Sequence, residues 1–372
     1  MQRIEVKLGL RSYPIFIGSG AMERGDDLAK AIPARDVLLV TNTTVGPLYA
    51  QRLTAALAPR RCIEVALPDG EVHKTLANVS RMLDVLIANR FSRDACVVAL
   101  GGGVVGDMAG FAAACYQRGI SFVQVPTTLL AQVDSSVGGK TGVNHPGGKN
   151  LIGAFHQPAA VFADTNTLST LPDRELRAGL AEVIKHGFAL DAPFVDWLER
   201  NIDRLLKRDA AALTHAIKRS CELKAAVVAA DEREAGERAL LNFGHTFAHA
   251  IETEQGYGGL NHGEAVAVGM VCAAHLSARL HMAPLADAER LSALLARFGL
   301  PVALPAGLDP GALVERMRLD KKATAGALRF VLWRGAGQAE ITAGVAEGDV
   351  IAAMQARPSV PVPPPPVQSP SP

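Results

Sequence analysis

The sequence predicts an α/β protein in which a Rossmann-like domain with a parallel sheet precedes a mostly α-helical domain. Short apolar strands alternate with helical patterns in the first part of the chain. This βαβαβ rhythm is typical of a parallel sheet with helices on its faces. A glycine-rich segment, Gly101–Asp107, directly follows one of these strands. From about Leu171 onward the strand patterns fade and long helical patterns replace them.

The predicted sheet domain covers residues 1–170 and begins with two strands within residues 3–18. Continuous apolar runs predict further strands, and amphipathic spacing predicts the helices between them. The predicted strands are Val37–Thr41, Cys62–Leu67, Ala95–Leu100 and Ser121–Val125, and the predicted helices are Val45–Ala58, Asn78–Asn89 and Val105–Cys115.

The predicted second domain covers residues 171–356 and is mostly helical. Its helical patterns are Asp173–Leu190, Pro193–Leu206, Ala210–Ala230, Leu240–Glu254, Gly263–His281 and Ala286–Phe298, and Leu328–Trp333 is a strand candidate. Residues 357–372 contain eight of the 22 prolines, which predicts a disordered polyproline-type tail. Such a tail is either a solvated extension or a ligand for a proline-recognising module.

Composition limits the classes of partner and compartment. Of the 372 residues 49% are hydrophobic and 20% charged, which allows a sizeable core and excludes global disorder. A net charge of +1 gives no reason to expect nucleic acid or an anionic membrane as partner. The five cysteines lack CxxC spacing and predict unpaired thiols in a reducing compartment. Because the chain shows neither a signal-peptide pattern nor a bilayer-spanning apolar run, we expect a soluble cytoplasmic protein.

The segment Gly101–Asp107 matches the GxGxxG pattern between a strand and a helix. Glycines let the backbone approach a pyrophosphate, and the helix N-terminus offers free N–H groups. The acid that usually follows about 20 residues later to bind ribose is missing here. Glu71 in the segment DGEVHK is the upstream candidate, although that segment also reads as an ordinary turn. We expect Asn42, Glu71 and Gly101–Asp107 to meet in one crevice at the strand ends.

Residues 132–157 hold six glycines together with Lys140 and Lys149, and they show little regular periodicity. Long irregular segments inside compact domains are usually functional. Glycines with two lysines suit a phosphorylated ligand. We therefore predict a functional loop, and a solvated hairpin with charged edges is the alternative.

A carboxylate and three histidines form the candidate metal site. Glu182 lies among apolar residues of a predicted helix, so it needs either an ion pair with Lys185 or a metal ion. His245 and His249 share one helix face, and His262 precedes the next helix. Glu182 with two of these histidines suits zinc or a similar divalent ion. The spacing does not distinguish His245 from His249, and solvated or core histidines have the same spacing.

Eight segments taken together resemble one family, 3-dehydroquinate synthase. In chain order they are DGEVHK, LGGGVVGDMAGFAAACYQRGI, QVPTTLLAQVDSSVGGKTGVN, GGKNLIGAF, GLAEVIKHG, LNFGHTFAHAIE, NHGEAVAVGM and LDKK. The resemblance extends from about residue 1 to residue 355 and leaves out the proline-rich tail. It implies a dehydroquinate synthase-like fold, with an NAD-binding domain, a metal-binding helical domain, an active site between them and a homodimer.

The resemblance also implies a phosphate-eliminating lyase of the shikimate pathway, which leads to chorismate and the aromatic amino acids. The expected reaction converts 3-deoxy-D-arabino-heptulosonate 7-phosphate to 3-dehydroquinate and phosphate. The expected steps are transient oxidation by NAD, phosphate elimination, re-reduction and intramolecular aldol closure. The implied cofactors are NAD and a divalent metal ion, zinc or cobalt. The alternatives are a related sugar-phosphate cyclase, a polyol dehydrogenase of the same fold and a catalytically silent NAD- or metal-binding regulator.

The resemblance assigns a role to individual residues of this sequence. It makes Glu182, His245 and His262 the metal ligands and His249 a substrate contact. The other substrate-site residues are Asp134, Lys140, Asn150, Lys185, Lys224, Arg238, Asn242, one of Lys321 or Lys322, and Arg118 reaching in from the neighbouring subunit. The NAD-binding residues are Asp69, Gly70, Glu71, Val72, His73, Lys74, Gly103, Val104, Val105, Gly106, Asp107, Thr127, Thr128, Lys140, Lys149, Thr167, Leu168, Ser169 and Thr170.

Overall fold

A computed structural model describes residues 1–234, 236–256, 259–321 and 328–357, with the side chains of residues 319–321 excepted. These residues form two compact units. The first unit consists of residues 1–171 and 208–233, and the second consists of residues 172–207 together with the described residues from 234 onward.

The helices and strands follow in chain order. Up to residue 171 the strands are β1 Gln2–Val6, β2 Tyr13–Gly18, β3 Asp36–Asn42, β4 Arg61–Leu67, β5 Cys96–Gly101, β6 Ser121–Pro126, β7 Lys140–His145, β8 Gly148–Phe155 and β9 Ala160–Asp164, and the helices are α1 Gly25–Ala31, α2 Gly46–Leu57, α3 Leu76–Ala88 and α4 Gly103–Cys115. The later elements are α5 Asp173–Leu190, α6 Ala192–Arg200, α7 Ile202–Leu206, α8 Ala210–Ala230, α9 His245–Gln255, α10 His262–Arg279, α11 Leu285–Arg297, α12 Pro310–Lys321, β10 Arg329–Trp333, β11 Ala339–Ala343 and α13 Glu347–Gln355.

The first unit is built on a sheet that, within the described residues, has seven strands in the order β1-β2-β9-β6-β5-β3-β4. The pair β1–β2 is antiparallel and all other pairs are parallel. Side chains of β3 alternate between two cores, with Leu38 and Val40 in one and Val37 and Leu39 in the other. Apolar side chains of helices cover both faces, which explains why β5 is buried along its whole length. The predicted parallel α/β sheet is thus confirmed.

The helix α8 belongs to the first unit, although the sequence pattern placed Ala210–Ala230 among the helices of the second. It contacts β1, β2 and a π-helical turn, Ala131–Ser135, and buries one face there. The Cys221 thiol of this face lies 3.2 Å from the carbonyl oxygen of Gln132. Helical periodicity reports that one face is buried but not what it is buried against, so the sequence did not predict this placement.

The glycine–lysine segment is a β-hairpin and not the irregular loop that we predicted. Strands β7 and β8 pair antiparallel, with a register shift between Val143 and His145. Gly142 and Gly153 stand where the strands approach closely, because a Cβ on Gly142 would lie 2.4 Å from the carbonyl oxygen of Ile152. The glycines that allow this pairing also interrupt the alternation of side chains, and this hid the strands from the periodicity argument.

The second unit is mostly helical, as predicted. The predicted helix Pro193–Leu206 is divided into α6 and α7, and the predicted helix Leu240–Glu254 begins only at His245, after a 3₁₀ turn, Glu237–Asn242. The predicted strand near Trp333 is β10, which pairs with β11. No helix in the described part of the chain combines the length and apolar character needed to cross a membrane. All five cysteines, each within the described residues, are free thiols as predicted.

Candidate active site

Glu182 is the centre of the histidine cluster in the second unit. Its side chain is fully buried in α5, and Lys185, one turn later, forms an ion pair with its Oε2. Within the described residues its Oε1 has no hydrogen-bond partner. A buried carboxylate oxygen without a donor is costly, so this atom indicates a missing positive ligand.

Two of the three histidines face that oxygen. The helices α9 and α10 begin at His245 and His262, and the Nε2 atoms of both side chains lie 3.7 Å from Glu182 Oε1. The donor atoms of Glu182, His245 and His262 all lie within 4.8 Å of one another. The ring of His249 lies beside them, with its centroid 5.5 Å from that of His245 and 6.5 Å from that of His262.

These three donors fit a divalent metal ion. Ligands at about 2.0–2.1 Å from a tetrahedral zinc lie roughly 3.4 Å from one another. The observed 3.7 Å between each Nε2 and the carboxylate oxygen is close to that spacing. One carboxylate with two imidazoles is a common donor set of catalytic zinc sites, which leave a further position open.

Glycines bring the three helices together. A Cβ on Gly263 would lie 2.2 Å from the carbonyl oxygen of Ala178 in α5, and a Cβ on Gly269 would lie 2.2 Å from that of Gly244. Gly244 itself has a φ of +81°, which favours glycine. The backbones of α5, α9 and α10 therefore approach closely at the site, and their short separation lets the three side chains converge.

The first turn of α10 is fixed by polar contacts that the sequence analysis missed. Asn261 and Glu264 form a capping box, and Glu264 also accepts two hydrogen bonds from Arg174 of α5, at 2.7 and 2.6 Å. Arg174 and Glu182 lie on the same helix, so this contact sets His262 relative to Glu182. The spacing of Asn261 and Glu264 is a recognisable capping signal, and it could have been found.

The carboxylates around His262 favour its protonated form. Burial lowers the pKa of His262, but the carboxylates of Glu252 and Glu182 outweigh that effect and raise the pKa above its ordinary value of 6.5.

Three other predicted substrate residues lie in the same unit. Arg238 is buried, Asn242 Nδ2 donates to Glu234 Oε1 over 2.9 Å, and Lys185 pairs with Glu182. The Lys322 candidate lies outside the described residues, as do the side chain of Lys321 and the tail residues 358–372.

In the first unit, the structure brings together the three segments that the sequence predicted to share a crevice. Lys74 Nζ donates to Asp107 Oδ2 and to Asn150 Oδ1, each over 2.6 Å. Asn144 of the hairpin donates to Glu71 Oε1 over 2.7 Å. Asn42 Nδ2 donates to Asp69 Oδ1, also over 2.7 Å. The segment DGEVHK therefore joins Asn42 and the glycine-rich turn, as predicted, and also the hairpin, in one polar cluster at the carboxyl ends of the strands.

The glycine-rich turn lies at the start of α4. Gly102 is the N-cap, and among the described residues the first turn has no side-chain cap. A Cβ on Gly103 would lie 2.9 Å from Ser135 Oγ, and one on Gly106 would lie 2.7 Å from Gln124 Oε1. These glycines therefore serve close packing as well as any approach of a pyrophosphate to the helix N-terminus.

Two residues that the sequence analysis did not single out hold the turn Thr167–Thr170. Tyr49 Oη lies 2.5 Å from Thr170 Oγ1, and Arg208 donates to the carbonyl oxygens of Leu168 and Leu171 over 3.0 and 2.7 Å. A cavity of about 470 Å³ lies against this turn, and Tyr49 and Arg208 line it together with Thr165, Asn166, Ser169 and Thr170. No sequence pattern links these positions, because 118 residues or more separate Tyr49 from the turn.

The remaining predicted residues of this unit lie on α8, on the hairpin and in the turns that follow α4 and β6. Lys224 Nζ donates to the carbonyl oxygen of Asp134 over 2.7 Å and forms an ion pair with its carboxylate. Lys140 and Lys149 are exposed on the hairpin. Thr128 Oγ1 accepts a hydrogen bond from Ala131 N, and Thr127 is buried. Arg118 is exposed, and its φ is +66°.

Comparison with known proteins identifies the family. A sequence model described as 3-dehydroquinate synthase N-terminal matches residues 64–178, and one described as 3-dehydroquinate synthase C-terminal matches residues 179–323. The 3-dehydroquinate synthase of Methylococcus capsulatus is 57% identical over 348 residues, which cover 94% of this chain and 97% of the relative. The chain belongs to the 3-dehydroquinate synthase family.

Two solved structures that resemble this member of the 3-dehydroquinate synthase family are synthases with NAD+ and a metal ion bound. A 2-deoxy-scyllo-inosose synthase complexed with carbaglucose-6-phosphate, NAD+ and Co2+ matches with a TM-score of 0.87 and 27% identity, over 95% of this chain and 99% of that one. A 2-epi-5-epi-valiolone synthase from Streptomyces hygroscopicus subsp. jinggangensis with NAD+ and Zn2+ bound matches with a TM-score of 0.85 and 29% identity, over 92% and 96%. The predicted dehydroquinate synthase-like fold is confirmed.

Proposed function

We propose that this chain catalyses the 3-dehydroquinate synthase reaction, which converts 3-deoxy-D-arabino-heptulosonate 7-phosphate to 3-dehydroquinate and phosphate. It is then a phosphate-eliminating lyase of aromatic amino acid biosynthesis. The observation that carries this proposal is the 57% identity, over 94% of the chain, to a relative with that name. The convergence of Glu182, His245 and His262 supports it independently of sequence similarity.

The proposed cofactors are NAD and a divalent ion, zinc or cobalt. Glu182, His245 and His262 would hold the ion, because their donor atoms converge around an oxygen that lacks a hydrogen-bond partner among the described residues. The residues that would hold NAD are Asp69–Lys74, Gly103–Asp107, Thr127, Thr128, Lys140, Lys149 and Thr167–Thr170. The polar cluster at the strand ends, which includes Asp69, Glu71, Lys74 and Asp107, supports this. When bound, NAD supplies a reversible hydride acceptor and the ion supplies a Lewis acid.

The residues of the chain itself contribute charge and position. The substrate carries a phosphate and a carboxylate, and Lys140, Lys224 and Arg238 are the proposed cations that bind them. Each charge-assisted hydrogen bond contributes about 1.5–3 kcal/mol. His249 and Asn242, beside the metal ligands, are proposed to contact the substrate. Binding both ends of the molecule favours the intramolecular aldol step, because it holds the reacting carbons close together.

The proposal extends to assembly and compartment. We propose residues 1–170 as the NAD-binding domain and residues 171–356 as the metal- and substrate-binding domain. We also propose a cytoplasmic homodimer in which Arg118 reaches the neighbouring subunit, and the exposed position of this side chain supports such a contact. Size-exclusion chromatography with light scattering would measure the oligomeric state.

The test of the reaction is phosphate release from the seven-carbon phosphate, with NAD and zinc supplied and absorbance recorded for NADH. Phosphate release without accumulating NADH is the expected result, because the hydride returns to the substrate. Steady NADH formation without phosphate would identify a polyol dehydrogenase. Neither signal, with NAD and zinc both bound, would contradict the proposed substrate and favour another sugar phosphate or a silent binding protein.

A further inference from the structure

His262 lies between two carboxylates that face its opposite nitrogens. Its Nε2 is 3.7 Å from Glu182 Oε1, and its Nδ1 is 3.5 Å from Glu252 Oε2. Both carboxylates are at least nine-tenths buried, with side-chain exposures of 0% for Glu182 and 10% for Glu252. Glu252 comes seven residues after His245 in α9, so the two lie on the same helix face.

We infer that Glu252 is a positioning residue that holds the His262 ring with Nδ1 protonated and Nε2 free to bind a metal ion. The inference rests on the proposed function, because it concerns the metal site of that function. A neutral imidazole has one N–H and one lone pair, and a carboxylate at Nδ1 accepts the N–H. The lone pair then remains on Nε2, the nitrogen that faces Glu182.

The second histidine of the site has the same arrangement with a different acceptor. His245 Nδ1 lies 3.3 Å from the carbonyl oxygen of Phe243, and its Nε2 lies 3.7 Å from Glu182 Oε1. Outer acceptors of this kind, main-chain carbonyls or carboxylates, orient metal-binding histidines and fix their tautomer. His245 thus uses a backbone acceptor that no substitution removes, whereas His262 depends on the side chain of Glu252.

Arg174 and Glu252 fix different parts of His262, the proposed metal ligand. The hydrogen bonds from Arg174 to Glu264 hold the backbone of the first turn of α10, where His262 begins the helix. They leave the rotation of the His262 side chain free. The contact with Glu252 is made to the ring itself and comes from another helix, so it restricts that rotation.

The experiment compares zinc affinity in the full-length protein, measured by competition with a chromophoric chelator. Glu252→Ala removes the acceptor and is expected to weaken zinc binding by about 10- to 100-fold. Glu252→Gln keeps an amide oxygen as acceptor and should lose less. The matched control is Glu254→Ala on the same helix, because Glu254 forms an ion pair with Arg316 at the surface, at 2.8 Å, and its loss should leave zinc affinity unchanged. Circular dichroism of the metal-free variants checks that each is folded.

Unchanged zinc affinity in Glu252→Ala, or an equal loss in Glu254→Ala, would overturn the inference. If Glu252→Ala does not fold, Glu252→Leu decides, because it keeps the bulk of the side chain without an acceptor, and an affinity equal to that of the wild type would count against the role of Glu252. Wild-type protein that binds zinc but releases no phosphate would contradict the proposed function and leave this test valid. Recovery of activity in Glu252→Ala at saturating zinc would support positioning over a catalytic role.

Discussion

Lys74 and Asp107 form an ion pair of 2.6 Å between the segment DGEVHK and the first two turns of α4. The side chain of Lys74 is only 6% exposed. Burial lowers the pKa of Lys74, but Asp107 and Glu71 outweigh that effect and raise it above its ordinary value of 10.5. The ion pair therefore joins two segments that are both proposed to bind NAD.

We expect Lys74→Met to lower the free energy of unfolding by about 3 kcal/mol or more, because it leaves the Asp107 carboxylate without its cation. Since the pKa of Lys74 is raised, this contribution is lost as pH rises from 10.5 through the folded-state pKa. Because burial also raises the pKa of Asp107, the ion pair is lost in acid as well, when that carboxylate is protonated. Urea unfolding at neutral pH measures it. Arg334→Met, which breaks the exposed pair with Glu340, should cost less than about 1 kcal/mol. Equal losses in both variants would contradict the expectation.

The two histidines of α9 should behave differently although their spacing makes them look equivalent. His245→Ala is expected to abolish both metal content and activity, because it removes one of three converging donors. His249→Ala should retain the metal and lose rate. Metal content by elemental analysis, measured beside phosphate release, separates the two effects. A metal-free His249→Ala protein would show that the wrong histidine was assigned.

A single methyl group at Gly263 should separate the metal-binding helices. In Gly263→Ala the new Cβ would meet the Ala178 carbonyl oxygen at 2.2 Å, so α10 must shift from α5. We expect at least a tenfold loss in zinc affinity and a lower free energy of unfolding, by about 1–3 kcal/mol. Gly348→Ala is the control, because Gly348 lies in α13 with nothing within 4 Å of a new Cβ. It should be neutral or stabilising.

The parts of the fold that were predictable depend on local periodicity. Strands such as β3 and β5 are continuous apolar runs. The turn between β5 and α4 is recognisable from the GxGxxG spacing of its glycines. The position of α8 was not predictable, because its contacts with β1 and β2 join residues about 200 positions apart. The apolar pattern of a helix shows which of its faces is buried, but it does not identify the element on which that face packs.

The candidate site was predictable in composition but not in geometry. Glu182 and the histidines were found from residue type and helical spacing. The choice between His245 and His249 came only from family resemblance, and in the structure it depends on which ring faces Glu182 Oε1. Arg174, Glu252 and Arg208 were missed because they act on other residues through contacts between separate elements, which no local spacing specifies.

His275 should make the protein sensitive to mild acid. Burial lowers its pKa below the ordinary 6.5, with a smaller opposing effect of Glu289. The unfolded chain therefore takes up the proton first, so stability falls as pH drops below 6.5 and stops falling below the folded-state pKa. His275→Gln should reduce this loss between pH 7.5 and pH 5, measured by urea unfolding. The exposed control His281→Asn should not, and an unchanged pH dependence in His275→Gln would contradict the expectation.

Arg208 should control NAD affinity through the turn that it holds. Its Nε and Nη2 donate to the carbonyl oxygens of Leu168 and Leu171, and both residues flank the proposed cofactor contacts Ser169 and Thr170. Arg208→Lys keeps the charge but cannot make both bonds in the same geometry. We expect the dissociation constant of NAD to rise by about tenfold, the loss of roughly one charge-assisted hydrogen bond.

Equilibrium titration with NAD in the absence of substrate measures this effect without relying on turnover. Arg219→Lys on α8 is the control, because that side chain is 40% exposed and pairs with Glu222 at the surface. Tyr49→Phe should act in the same direction as Arg208→Lys, since it removes the contact of 2.5 Å with Thr170 Oγ1. If neither variant changes NAD affinity while both remain folded, the contacts of Arg208 and Tyr49 with the turn Thr167–Thr170 do not control NAD binding.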